Sequence, residues 1–170
     1  YHAHEKEELV NTLERLQLQP VRLINTHCHV DHVFGNLFVS ETYGLGLECH
    51  RWEVPVLETV EQVCMMYQIP YPEKSPMPSA FIEAEDIMQF GHTQLEVRFT
   101  PGHSPASICF YNEKDQFVID GDVLFKESIG RSDLPGGDMD TLLNSIQTQL
   151  YTLEDAVVIY PGHGPQTTIG

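Results

Sequence analysis

Apolar residues recur at helical spacing from Glu5 to Leu18, with Leu9, Leu13 and Leu16 on one face and Val10 beside them, which predicts an amphipathic helix. The short apolar run Val21–Asn25 reads as a buried strand. A second helix is expected from Asp31 or His32 to about Tyr43, with Val33, Leu37 and Ser40 along one side. Leu45–Cys49 suits a short strand, and Trp52–Tyr67 a helix whose Pro55 falls in the first turn, where no intrahelical bond is lost. Pro70, Pro72, Pro76 and Pro78 make Ile69–Ser79 an extended loop. Four β-rich runs follow, around Phe81–Ile82, Leu95–Phe99, Ser107–Tyr111 and Gln116–Ile119, with Asn112–Asp115 as the hairpin turn between the last two. A helix over Met139–Leu150 should turn Leu142, Leu143, Ile146 and Leu150 inward, and Val157–Tyr160 reads as a closing strand. The order implies an α/β fold with helices packed outside strands.

A chain of 170 residues, 41% hydrophobic, can bury one substantial core, so residues 1–170 are expected to form a single domain. No apolar run approaches the roughly 20 residues of a membrane span, and no basic-plus-apolar leader opens the chain. Nine Lys and Arg against 25 Asp and Glu give a formal charge of −16, which disfavours nucleic acid and other polyphosphate partners. Cys28, Cys49, Cys64 and Cys109 lack Cys-x-x-Cys spacing and read as reduced thiols of a cytoplasmic protein.

The chemistry concentrates in Thr26-His27-Cys28-His29-Val30-Asp31-His32, three imidazoles and a carboxylate just after a strand. Imidazole nitrogen and carboxylate oxygen are ligands for Zn²⁺ and for octahedral Fe or Mn, and such a density on one loop points to a metal centre. Cys28, between two of these residues, is expected to face away from the metal. Three further strand ends carry ligand-type residues: His103 in Thr100-Pro101-Gly102-His103-Ser104, Asp120 and Asp122 in Asp120-Gly121-Asp122, and His163 in Tyr160-Pro161-Gly162-His163-Gly164. One Pro-Gly-His alone is an ordinary turn; four strand ends presenting ligands form a repeated design. His2 and His4 read as solvated, and His50 and His92 as surface or capping residues. Met65, Met66 and Tyr67 are expected to pack.

Thr-His-x-His-x-Asp-His, a Pro-Gly-His, an Asp after an apolar strand and a second Pro-Gly-His together resemble the metallo-β-lactamase-fold superfamily. Within it, Phe125, Gly130-Arg131-Ser132-Asp133, Pro135-Gly136-Gly137-Asp138 and the ending Tyr160-Pro161-Gly162-His163-Gly164-Pro165 resemble the short glyoxalase II-like (hydroxyacylglutathione hydrolase-like) proteins. The resemblance implies a four-layer αβ/βα sandwich. That fold begins with several strands ahead of its first helix, so the chain reads as N-terminally incomplete. It also implies two divalent metal ions, Zn first with Fe or Mn as alternatives. His27, His29 and His103 would hold one, Asp31, His32 and His163 the other, and Asp122 would bridge them, with Asp31 and Asp122 as the catalytic carboxylates. Asp120 then hydrogen-bonds its turn. Two adjacent cations lower the pKa of a bridging water towards neutrality, and the implied reaction is hydrolysis of a small thioester, glutathione-linked, with Arg131 holding a glutathione carboxylate. The competing implications are an Fe(II) persulfide dioxygenase using His27, His103 and Asp122, and a hydrolase for another ester or lactone.

Overall fold

In the computed structural model, which describes residues 3–70 and 73–170, the chain divides into two units. One holds the residues up to Cys49 together with Val54–Phe81; the other holds His50–Glu53 and Ile82–Gly170.

The first unit is built on a parallel three-stranded sheet in the order β1 (Leu23–Ile24), β2 (Leu47–Cys49), β3 (Ala80–Phe81). Its helices are α1 (Ala3–Leu16), α2 (Val30–Val33), α3 (Asn36–Tyr43) and α4 (Val54–Tyr67), the last entered through a 3₁₀ turn at Arg51–Glu53. Cys28, Val33, Leu47, Cys49, Leu57, Val60 and Cys64 form its core, so Cys28 does face into packing. Three helices close alike. The residue after each helix or its frayed end is left-handed (Gln17 φ 53°, Gly44 φ 67°, Gln68 φ 55°), and the next N–H reaches back five residues, Leu18 to Leu13, Leu45 to Ser40 and Ile69 to Cys64. Gly44 adopts this conformation freely, whereas the two glutamines carry a Cβ penalty for it.

The helix expected from about residue 31 to Tyr43 is broken in two at Phe34-Gly35. The His32 carbonyl there accepts from the Asn25 side-chain amide at 2.8 Å, a tertiary bond that local periodicity does not foresee. The first strand is correspondingly short. Residues 73–79 have no regular structure, as the prolines require, while Pro72 lies outside the described residues, as does His2. The packing role expected of Met65, Met66 and Tyr67 is wrong. All three are exposed, Met66 by 74%, because they lie on the outer side of the last turn of α4.

The second unit is a six-stranded sheet in the order β11 (Thr167–Thr168), β10 (Val158–Pro161), β7 (Phe117–Gly121), β6 (Ile108–Asn112), β5 (Thr93–Phe99), β4 (Ile87–Phe90). The β7–β10 pair is parallel and the rest antiparallel, so β5, β7 and β10 point the same way. A small hairpin, β8 (Leu124–Phe125) and β9 (Ser128–Ile129), follows β7. Helix α5 (Met139–Ser145) runs into a π-turn over Ile146–Leu150. Leu142, Ile146 and Leu150 pack with Cys109, Val118, Val123 and Ile159. Leu143, expected inward, is 42% exposed: spacing of four along 142, 146 and 150 makes one buried row, and the next residue is rotated about 100° away from it. His50 also departs from expectation. It is 4% exposed, its ring 5.2 Å from Trp52 and 5.0 Å from Phe99, and its Nδ1 accepts the Trp52 N–H at 3.3 Å. Burial lowers its pKa, against the raising effect of Glu83. No helix among the described residues is long and apolar enough to cross a membrane.

The buried row gives a direct test. Leu142→Ala should cost about 2–5 kcal/mol, the range for a truncated buried leucine, and Leu143→Ala less than about 0.5 kcal/mol. Urea denaturation of the two variants measures both.

Candidate metal centre

In the first unit, β1 delivers the chain straight into the histidine loop. Asn25 is still bonded to the sheet through its N–H to the Glu48 carbonyl at 3.0 Å, so the loop leaves from a fixed point. His27 is fully buried, and its ring centroid lies 4.0 Å from that of His32 and 4.9 Å from that of His29. Asp31, on α2, places Oδ2 3.6 Å from His32 Nε2. The four loop residues predicted as ligands are therefore clustered by the loop and the first turn of α2. Imidazole nitrogen with carboxylate oxygen is the donor set of Zn, Fe or Mn.

In the second unit, His103, Asp122 and His163 follow the C-terminal ends of β5, β7 and β10, which the sheet brings to one edge. Asp122 Oδ2 lies 3.6 Å from His103 Nε2 and 3.5 Å from His163 Nε2. His103 Nδ1 is 2.7 Å from the Arg131 carbonyl. A carbonyl can only accept, so Nδ1 carries the proton, and in the neutral ring Nε2 is left with its lone pair on the Asp122 side. The Gly162 N–H bonds the Gly121 carbonyl, which fixes the His163 turn beside the end of β7.

The glycine and acidic motifs hold these ends together. Gly102 has φ 127° and lies so close to the backbone of Leu142 that no Cβ could fit. Its carbonyl accepts from the Asp138 N–H at 2.8 Å, and the Pro101 carbonyl accepts from Ser145 Oγ at 2.7 Å, so the His103 turn rests on the start and side of α5. Asp138 also caps that helix, accepting from the Thr141 N–H at 2.7 Å. Gly130 passes against the Asp122 carbonyl oxygen and 3.2 Å from His103 Nδ1, measured from where its Cβ would stand. Any side chain there would push apart two of the three second-unit candidates.

Arg131 makes an exposed two-pronged ion pair with Asp133, at 2.7 and 2.8 Å, which holds the Asp133 carboxyl down at about 2. Asp120 bonds its own turn, Oδ2 accepting from the Leu124 N–H at 2.7 Å. Its burial pushes the pKa up to about 8; the Leu124 hydrogen bond opposes this and Asp122 adds to it. Glu53, which no sequence motif singles out, is fully buried. Its carboxylate accepts from Ser104 Oγ at 2.6 and 2.8 Å and from the Ala106 N–H at 2.8 Å, tying down the turn after His103. The only local signal is an acidic residue beside Trp52 at a helix entrance, which is commonplace.

Residues 4–163 match the family model described as the Metallo-beta-lactamase superfamily. The chain belongs to that superfamily. Hydroxyacylglutathione hydrolase GloC of Haemophilus influenzae is 32% identical over 167 residues, which are 98% of this chain and 79% of that protein. The crystal structure of BLEG-1, a B3 metallo-beta-lactamase, is 34% identical with a TM-score of 0.87, covering 96% of this chain and 79% of that one. That of TTHA1623 in a di-iron-bound form is 32% identical with a TM-score of 0.85, at the same two coverages. The metallo-beta-lactamase fold is thus established, and with it a metallo-hydrolase that takes divalent cations.

The raised pKa of Asp120 sets a pH dependence for the metal-stripped protein. An unfolded Asp releases its proton near pH 4, whereas the folded chain keeps this one to about pH 8. Between those values the folded state binds the extra proton, so the contribution to stability is full below about pH 4 and is lost as pH rises to about 8. Asp120→Asn keeps an acceptor for the Leu124 N–H and should flatten that decline. Urea midpoints from pH 5 to pH 8 would show it, and an equal decline in the variant would assign the effect to other groups.

Proposed function

We propose that this protein is a thiolester hydrolase of glyoxalase II type, acting on S-acylglutathione-type substrates. The observation that carries the reading is the Asp122 carboxylate, 3.6 Å from His103 and 3.5 Å from His163, with the His103 tautomer set by the Arg131 carbonyl. The similarity to a hydroxyacylglutathione hydrolase supports the substrate class. In this proposal His27, His29 and His103 hold one divalent cation, Asp31, His32 and His163 a second, and Asp122 serves both. The donors are all imidazole nitrogen and carboxylate oxygen, which fits Zn and equally Fe or Mn. Such cations supply Lewis acidity, which activates water near neutral pH and polarises a carbonyl.

The chain's own residues supply position. His103, with Nδ1–H committed to a backbone carbonyl, offers Nε2 in one orientation only. Asp122 leaves β7 at a fixed angle because Gly130 packs on its carbonyl. In the reaction, water adds to the acyl carbon, the C–S bond breaks, and the products are a carboxylic acid and a thiol. A thiol of pKa near 8.5 leaves without strong acid assistance. In this proposal Arg131, exposed and paired with Asp133, exchanges that carboxylate for one on the substrate.

Elemental analysis should find two metals per chain, and one in His32→Ala; a single metal in both proteins would refute the pairing of ligands. With S-lactoylglutathione, Arg131→Ala should raise KM about tenfold to a hundredfold, the loss expected for a charge-assisted hydrogen bond of about 1.5–3 kcal/mol. Its kcat should barely change, because the bond is equal in ground and transition states and the backbone carbonyl under His103 survives the substitution. Turnover should proceed without oxygen. Oxygen uptake with glutathione persulfide and no thioester cleavage by the metal-loaded protein would replace the hydrolase with a dioxygenase.

A further inference from the structure

Beneath the histidine loop, in the first unit, lies a chain of buried amides that no ligand assignment uses. Asn36 donates one side-chain N–H to Asn25 Oδ1 at 2.7 Å and the other to Ser75 Oγ at 2.9 Å, and Ser75 passes its proton on to the Pro76 carbonyl at 3.2 Å. Asn25 in turn donates through Nδ2 to the His32 carbonyl at 2.8 Å. All three side chains are buried.

We propose that this amide chain is the positioning device of the metal-ligand loop: Asn25 clasps the His32 carbonyl and closes a ring of eight residues that contains His27, His29, Asp31 and His32. The inference rests on the metal-centre reading above. Asn25 is suited to the task because it is anchored at both ends. Its main chain is part of the sheet, bonded to Glu48, and its side chain spans to the far end of the loop. Asn36 removes the remaining freedom. An amide group flips easily when its two ends are alike in surroundings, but Asn25 has a donor, the Asn36 amide, on one side and an acceptor, the His32 carbonyl, on the other, so Oδ1 faces Asn36 and Nδ2 faces His32. Both protons of Asn36 are used, and a buried network with its members satisfied is stiff, since moving one member strands the others. The consequence is a loop whose entry and exit are fixed before any cation arrives. Groups beyond the ligands that orient them contribute about tenfold to a hundredfold in metal affinity. The break between α2 and α3 falls at this same point, where His32 gives its carbonyl to the clasp.

A purely structural role for these asparagines would lower stability and leave affinity alone, so the test separates the two. Asn25→Asp keeps the size and the acceptor facing Asn36 but turns the donor facing His32 into a second acceptor. The Co²⁺-loaded protein, challenged with a competing chelator, should lose metal at about tenfold to a hundredfold lower chelator concentration in this variant, with an altered Co²⁺ visible spectrum. Val60→Ala, a truncation in the α4 core of the same unit with no hydrogen bond to lose, should reduce the urea midpoint while keeping the wild-type affinity and spectrum. Should Asn25→Asp fail to fold by circular dichroism, Asn36→Ala decides: it leaves the clasp but frees its amide to turn, and should weaken Co²⁺ binding in the same direction by a smaller factor. Wild-type affinity and spectrum in a folded Asn25→Asp or, failing that, in Asn36→Ala overturn the clasp while the metal centre stands. A wild-type protein that holds no Co²⁺ at all sinks the metal centre itself, and the clasp with it.

Discussion

Lone pairs aimed at one another repel, and a metal centre is a place where several must be held together before the cation that justifies them is present. His27 and His32 have ring centroids 4.0 Å apart, and Asp122 stands within 3.6 Å of two imidazoles. Neither arrangement follows from side-chain preference. The second is imposed by backbone that has nowhere else to go: the His103 turn lies on α5 with no room for a Cβ at Gly102, and Gly130 is pressed against the Asp122 carbonyl. Rigidity of this kind moves the cost of assembling the donors from the binding step to the folding step, where a large sheet can absorb it.

The division of labour explains why the two ends of the chain use different means. The second unit has three parallel-running strands to hand, so candidates on β5, β7 and β10 arrive at one edge through sheet geometry alone. The first unit has a parallel sheet of very short strands, and only β1 feeds the ligand loop. With four candidates on one loop, alignment has to come from hydrogen bonds, and the buried amides of Asn25 and Asn36 are where it comes from. Net charge works in the same direction. The chain carries −16, so dications bound as proposed would relieve repulsion among carboxylates, and in the same proposal an anionic substrate would need a local cation such as Arg131.

Most of the candidate site is legible in the sequence because its residues sit in local motifs. His27, His29, Asp31 and His32 share one loop, and each Pro-Gly-His follows an apolar run long enough to read as a strand. The turn role of Asp120 was legible for the same reason, its partner Leu124 being four residues on. What escaped depends on contacts distant in sequence. Glu53 meets Ser104 across 51 residues, and Asn36 meets Ser75 across 39, with nothing in the neighbourhood of either to announce it. His50 looked like a surface residue until Phe99 covered it. Helical periodicity alone does not separate Leu143 from the buried row beside it, nor does it show the break after Val33, because the bond to the His32 carbonyl comes from Asn25, outside the helix.

Hydrolase and dioxygenase place different demands on the same seven residues, and the supporting structure bears on the choice. An Fe(II) oxygenase needs two imidazoles and one carboxylate with open positions for oxygen, which His27, His103 and Asp122 would satisfy. Asp31, His32 and His163 would then be idle, yet His32 is the residue whose carbonyl the buried amides clasp, and the Gly162 turn is bonded to the end of β7 with His163 next in the chain. Asp122, moreover, lies as near to His163 as to His103, a symmetry that a single-metal centre does not call for and a carboxylate serving two cations does. Structural effort of this sort tends to fall on residues that work. Two cations held by these donors would give all seven residues a task, and that is why the thiolester hydrolase proposed above is the more economical account of this arrangement.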